Sequence, residues 1–308
     1  MDLQALWPDN GPMYEGAMSR LQNLPIIAIA NQKGGVGKST ISTQAALCAS
    51  NTFGLRGLFI DCDAQGNSSS RLIQDDQLEA YSGTRTSHLW RSPGKMALVR
   101  PLKAKLAPKL DVIFALSGDH DLYCKEASRM STVLNFRTNL FRYLEEVQSG
   151  SDPYDFLMLD CPPKLGRELL APLSIATDVF IPVEVAGFAK DGLAGLYDTI
   201  NDVKSVNPAL GLTGIIINKF NRRARIQVRE IEKLKAIDGV GNKILDAVLP
   251  LRGAYDEANL DGKALWQFRS GAGKAASSEL KQVVVEMLNR CGAEQLINKG
   301  ATAKRGVS

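Results

Sequence analysis

The run Lys33-Gly34-Gly35-Val36-Gly37-Lys38-Ser39-Thr40 constrains this chain more than any other feature, because of what flanks it. Pro25 to Ala30 (PIIAIA) is a short, β-branched apolar run that ends at Asn31-Gln32. Beyond Thr40, Ile41 to Ser50 lacks Gly and Pro and carries helical apolar spacing. Strand, glycine-rich loop and helix, in that order, bring backbone N–H groups and a helix N-terminus onto one anion. The spacing is that of the phosphate-binding loop G-x-x-x-x-G-K-[ST], with Lys33 in place of the first glycine. The sharp turn around the phosphates is then left to Gly34, Gly35 and Gly37. Lys38 is placed to reach the β/γ-phosphates and Ser39 to ligand Mg²⁺. Lys33 has no evident task within one subunit. Its long cationic arm suits phosphates held by a facing copy, which would tie nucleotide binding to dimerisation.

The rest of the chain repeats the alternation that this unit begins. Arg56 to Asp61, Asp111 to Leu116, Asp155 to Asp160, Asp178 to Val183, Gly214 to Asn218 and Ile244 to Leu249 are short apolar runs. Helical patterns over 121–147, 164–176, 188–206, 225–237 and 277–290 stand between or after them. Strands without period-two alternation, each followed by a helix, predict an α/β fold with a mostly parallel β-sheet flanked by helices on both faces. The expected organisation is an irregular N-terminal arm over 1–24, one domain over 25–292 and a flexible tail over 293–308. Within the domain, 71–109 is weakly patterned and reads as helix plus a surface insertion around Gly83 to Gly94. No apolar stretch approaches the roughly 20 residues that cross a bilayer, and the start lacks a signal-peptide pattern. A cytoplasmic location is expected. The five cysteines are scattered without a C-x-x-C pair and read as free thiols rather than disulfides or metal ligands.

Several polar residues stand where the sheet would place chemistry. Asp160 follows four apolar residues at the carboxyl end of a strand, where open α/β sheets bind ligands, and can hold Mg²⁺ directly or through water. Asp61 ends the apolar run that begins at Arg56, and Asp63 lies two residues beyond it. Asn218-Lys219-Phe220-Asn221 has Asn where the guanine-reading N-K-x-D has Asp, so ATP is favoured over GTP. The net charge of +4 is mild, but Lys219, Arg222, Arg223, Arg225, Arg229, Lys233 and Lys235 crowd one segment opposed only by Glu230 and Glu232. Arg225 and Arg229 fall on one side of a helix starting near Arg225. Such a run is either a solvated helix face or a phosphate-tracking surface that does not read bases.

The loop with its extra lysine resembles the deviant Walker A motif of the ParA/MinD family of P-loop ATPases. Asp61-Cys62-Asp63-Ala64-Gln65-Gly66-Asn67 is similar to that family's D-x-D-P-Q-G-N segment, with Ala64 for proline. Phe156 to Pro163 (FLMLDCPP) is similar to its Walker B strand. The resemblance implies a P-loop NTPase fold and an ATPase that uses ATP and Mg²⁺ as a switch. It implies catalytic roles for Lys33, Lys38 and Asp63, with Asp63 orienting the attacking water. Gly34, Gly35, Val36, Gly37, Lys38, Ser39 and Thr40 would bind the phosphates, and Ser39, Asp61 and Asp160 would hold or support the metal. Asn218, Pro250 and Arg252 would flank adenine, although Leu251 intervenes where the family pairs Pro with Arg. The ParA-type members further imply a homodimer formed on ATP, non-specific DNA bound through Arg222, Arg223, Arg225 and Arg229, and a centromere-binding partner of the ParB type. Such a protein would partition or position plasmid or chromosomal DNA and associate with the nucleoid. The alternative is a MinD-like positioning regulator at the membrane. Asn298 to Ser308, with one bulky aliphatic residue and two glycines, does not have the amphipathic pattern such an anchor needs, so no membrane partner is expected.

Overall fold

Parallel strands of continuous apolar sequence must bury both faces, and the computed structural model of the chain shows how they do so. It describes residues 21, 23–80, 83–93, 99–119, 130–164, 166–185 and 190–298. The arm up to residue 20, the first part of the expected 121–147 helix, His120 and the tail from 299 lie outside the described residues. Strands β1 (Ile26–Ile29), β2 (Gly57–Asp61), β3 (Leu102–Ala104), β4 (Ala107–Ile113), β5 (Phe156–Asp160), β6 (Asp178–Glu184) and β7 (Gly211–Asn218) form one sheet. Their order is β3-β4-β2-β5-β1-β6-β7. All neighbours run parallel except β3, which pairs antiparallel with β4 at one edge.

Successive residues of a strand point to opposite faces, and the two halves of the core follow that rule. Ile27, Ile29 and Phe59 pack on one face with helices α1 (Lys38–Thr52) and α10 (Gly271–Arg290). Ala28, Leu58 and Ile60 pack on the other with α5 (Met130–Gln148), α6 (Arg167–Leu173) and α7 (Lys190–Lys204). The remaining helices are α2 (Asn67–Leu72), α3 (Asp75–Glu79), α4 (Thr86–Leu89), α8 (Arg225–Lys235) and α9 (Gly253–Asp261). Helix α1 is buried at every residue from Ile41 to Ser50, so its small side chains (Ser42, Ala45, Ala46, Ala49) let it lie close to the sheet.

Two expectations are corrected. Ile244 to Leu249 is not a strand. Its backbone meets β7 at two points, where Leu245 N donates to the Ile215 carbonyl and Leu249 N to that of Ile217, both at 2.9 Å. Between them the N–H groups of Asp246 and Ala247 turn away to the Glu286 carboxylate of α10, at 3.0 and 2.9 Å. A side chain has captured the donors a ladder would have used. The segment expected as a surface insertion also contributes to the core. Leu89 and Trp90 are fully buried, the Trp90 ring lies 5.3 Å from Phe136 of α5, and Asn139 donates to the carbonyls of Leu89 and Arg91. Polar residues surround Leu89 and Trp90 in the sequence, which hid this short buried turn.

Trp90→Ala should cost about 3–5 kcal/mol of unfolding free energy, the range for deleting a buried aromatic side chain. Urea denaturation measures it; a loss below about 1 kcal/mol would return this segment to the surface.

Candidate nucleotide-binding site

The site begins with the peptide geometry of the loop between β1 and α1. Gly35 (φ 77°) and Gly37 (φ 91°) lie in the left-handed region, as the tight turn requires. Gly37 has a second constraint, because an added Cβ would collide with the Asn218 amide. Helix α1 has no side-chain cap, so the N–H groups of its first turn are available to an anion. Asn31 fixes the loop's start: its Oδ1 accepts from Lys33 N at 2.9 Å and its Nδ2 donates to the Pro182 carbonyl of β6 at 2.7 Å. The loop's carbonyls are held from outside. Asn218 Nδ2 donates to the Val36 carbonyl at 2.8 Å and Lys219 Nζ to that of Gly35 at 2.8 Å. Lys38 is buried and its Nζ donates to the Lys33 carbonyl at 3.2 Å, whereas the Lys33 side chain is exposed at the mouth.

Two carboxylates face each other below the loop. Asp61 and Asp160 are register partners at the ends of β2 and β5, and both are fully buried. Asp61 Oδ1 accepts from Asp63 N at 3.1 Å, and Oδ2 from Ser69 N and Oγ at 2.8 and 2.7 Å. Both its oxygens are thus occupied, and of the expected metal ligands it is the one that holds the following loop. Asp160 Oδ2 accepts from Ser68 Oγ, while its Oδ1 is buried without a hydrogen-bond partner. Burial, then the charge of Asp160, pushes the Asp61 carboxyl up to about 8. Burial also raises Asp160, against the neighbouring hydroxyls of Ser68, Ser39 and Ser42. Burial lowers Lys38, opposed by the charges of Asp160 and Asp63. The Asp160 carboxylate, with one oxygen unpaired, and the neighbouring Ser39 hydroxyl are a hard-oxygen donor set that fits Mg²⁺. Asp63 is half-buried and makes a local turn in which its Oδ1 accepts from Gln65 N at 3.0 Å. Cys62 and Cys161 flank these carboxylates as fully buried thiols whose ionisation burial suppresses.

A cleft opens beside the loop, lined by Gly37, Thr40, Asn218, Pro250, Arg252 and Asn259 among others. The Arg252 guanidinium is tied to Glu279 of α10 by two hydrogen bonds, at 2.7 and 2.6 Å. Sequence reading missed Asn259 of α9. Its Nδ2 donates to Thr40 Oγ1 at 2.8 Å and its Oδ1 is buried without a partner. No motif marks it, because only the fold brings α9 to the loop. The structure separates the basic run. Arg222, Arg223, Arg225 and Arg229 are exposed on the β7–α8 connection and α8, whereas Lys219 turns back to Glu184 and the loop.

A parallel sheet, an uncapped helix N-terminus behind a glycine-rich loop, and a strand-end carboxylate beside the loop's serine define a P-loop nucleotide-binding protein. A family model described as an AAA domain matches residues 24–212. The chain is 34% identical over 246 residues to the chromosome partitioning protein ParA of Caulobacter vibrioides, covering 78% of this chain and 85% of that one. It is 32% identical over 244 residues to the sporulation initiation inhibitor protein Soj of Bacillus subtilis, covering 78% and 89%. Among solved structures, the septum site-determining protein MinD of Pyrococcus horikoshii, complexed with Mg-ADP, has a similar fold. Its TM-score is 0.63 at 17% identity, over 88% of this chain and 98% of that one. The chain belongs to the ParA/MinD family of P-loop ATPases.

Without nucleotide or divalent cation, stability should fall as pH rises from 7 towards 8. The folded state keeps a proton on the carboxylate pair that the unfolded chain has already released near the ordinary carboxylate value, so this contribution is lost as pH passes about 8. His88, lowered to about 4 by burial, is neutral in the folded chain, and the unfolded imidazole loses its last fraction of a proton just above pH 7, so it opposes the decline only at the start of this window. Differential scanning fluorimetry should show the decline, flattened in Asp160→Asn; a midpoint that rises over the interval would contradict the assignment.

Proposed function

We propose that this chain is a Mg²⁺-dependent ATPase that partitions or positions DNA, with ATP switching it into a DNA-binding dimer. The carrying observation is the division of labour between two lysines of one loop. Lys38 is buried among the loop carbonyls and the carboxylates, whereas Lys33 is exposed at the mouth. A triphosphate on the N-terminus of α1 would be met at its β/γ-phosphates by the remaining donors of Lys38, whose ammonium also holds the Lys33 carbonyl. Ser39 and Asp160 would hold Mg²⁺, which supplies charge neutralisation on the phosphate oxygens. Asp61 braces the 61–69 loop and leaves Asp63 to orient the water for attack on the γ-phosphate. Lys33 then reaches the phosphates of a second copy. Asn218, Pro250, Arg252 and Asn259, which line one cleft beside the loop, would flank the adenine, and the amide of Asn259 still has an unused acceptor for an exocyclic amine.

The exposed arginines at 222, 223, 225 and 229 supply the charge for sequence-independent contacts to DNA phosphates. A ParB-type centromere-binding protein would stimulate hydrolysis and release the DNA. Kinship with ParA and Soj, named for chromosome partitioning and sporulation control, supports this assignment.

Light scattering should show a dimer with a slowly hydrolysed ATP analogue and a monomer with ADP. DNA anisotropy should show affinity at least tenfold higher with the analogue, weakening steeply with salt. Lys33→Gln should abolish both dimer and DNA binding. Asp63→Ala should lower kcat by about 10²-fold or more, the scale of losing a water-orienting group, while retaining the ATP dimer. A monomer at saturating analogue would overturn the proposal.

A further inference from the structure

Every peptide of a phosphate-binding loop must choose which of its two polar groups faces the ligand. The trans peptide is planar, with C=O and N–H pointing in opposite directions. Holding a carbonyl outward therefore aims the next residue's N–H inward. The Val36 carbonyl is held by Asn218, which orients Gly37 N–H, and the Gly35 carbonyl is held by Lys219 Nζ, which orients Val36 N–H. Two consecutive residues at the end of β7 thus grip two consecutive peptides of the loop.

Lys219 is not an incidental neighbour. Its ammonium is shared between the Gly35 carbonyl and the Glu184 carboxylate at the end of β6, so the adjacent strand also anchors it. It is also the only non-glycine residue with positive φ among the described residues, at 53°. A β7 continuing in extended geometry would carry this side chain elsewhere; the left-handed turn at 219 bends it back over the loop. A residue in an unfavourable conformation with a charge-assisted contact at a site is a motive to look for function there.

We propose that Lys219, anchored by Glu184, is a positioning residue that locks the Gly35–Val36 peptide in its phosphate-binding orientation and so sets nucleotide affinity. This rests on the nucleotide-binding reading of the loop. It also removes Lys219 from the basic surface formed by the arginines that follow it.

The test is titration of the full chain with a fluorescent ATP analogue and Mg²⁺, alongside thermal midpoints without nucleotide. Lys219→Met should weaken the dissociation constant by roughly tenfold, the effect of about one charge-assisted hydrogen bond, and Lys219→Arg should recover most of it. Lys219→Gly, which relieves the left-handed backbone, should have a midpoint at or above that of Lys219→Met yet bind as weakly. Glu184→Gln separates positioning from bulk attraction. If Lys219 acts only as a positive charge near the phosphates, removing the opposing carboxylate strengthens binding; if Glu184 anchors the latch, binding weakens. Unchanged affinity in Lys219→Met and Lys219→Gly, or stronger binding in Glu184→Gln, would overturn the proposal. A parent chain that binds no analogue would instead remove the nucleotide reading itself, and this inference with it.

Discussion

Two carboxylates side by side in a parallel sheet, both out of water, are the constraint around which this site is organised. Asp61 and Asp160 occupy the same register position on adjacent strands, and like charges so placed cannot both ionise without compensation. The chain supplies it in layers. The N–H and hydroxyl of Ser69 serve Asp61, the hydroxyl of Ser68 serves Asp160, and the buried Lys38 lies within the field of Asp160. What is left over is one unpaired oxygen on Asp160. A divalent cation there would complete the neutralisation that the protein leaves unfinished.

Compensation of this kind fixes backbone as well as charge. Because Ser69 must reach Asp61, the segment from Asp63 to Asn67 closes tightly, with Gly66 in the left-handed region against the Ala115 carbonyl. Ser69 Oγ also accepts from Ala115 N at 2.8 Å, and Thr86 donates to the Asp61 carbonyl. Through Thr86, the segment expected as a surface insertion is thus held to the floor of the site. On the other side of the loop, the left-handed Lys219 costs on the order of 1 kcal/mol, which its contacts to Glu184 and Gly35 offset.

Legibility in the sequence followed the range of the interactions. The loop, the strand-end aspartates and the parallel strands are local patterns, and residues 33–40, 61–63 and 160 lie together in the fold. Long-range capture was illegible. Glu286 takes the N–H groups of Asp246 and Ala247 across about 40 positions, which removes a strand that composition alone would grant. Asn259 reaches Thr40 from 219 positions away with no motif of its own. Helix α10 begins at Gly271, earlier than its apolar pattern, because Ser270 caps it through Gly273 N. Its glycines read as loop until the cap is seen. Lys219 misled in a different way. In sequence it opens a basic run, but a single positive φ turns its side chain from that run into the loop.

A nucleotide can act as a switch only if it contacts the two states differently. The lysine pair offers such a difference at one atom. Lys38 Nζ, which here donates to the Lys33 carbonyl, has two further N–H donors with which to meet a bound triphosphate. That ammonium would then tie the phosphates to the backbone of the very residue whose side chain stands at the mouth, where a second copy would meet it. The end of β7 adds a covalent path outward, because Arg222 follows the Lys219 contact by only three residues. In the proposed cycle, occupancy of the loop, the position of Lys33 and the setting of the arginine surface are linked through short segments of chain that start from the Lys38 and Lys219 contacts.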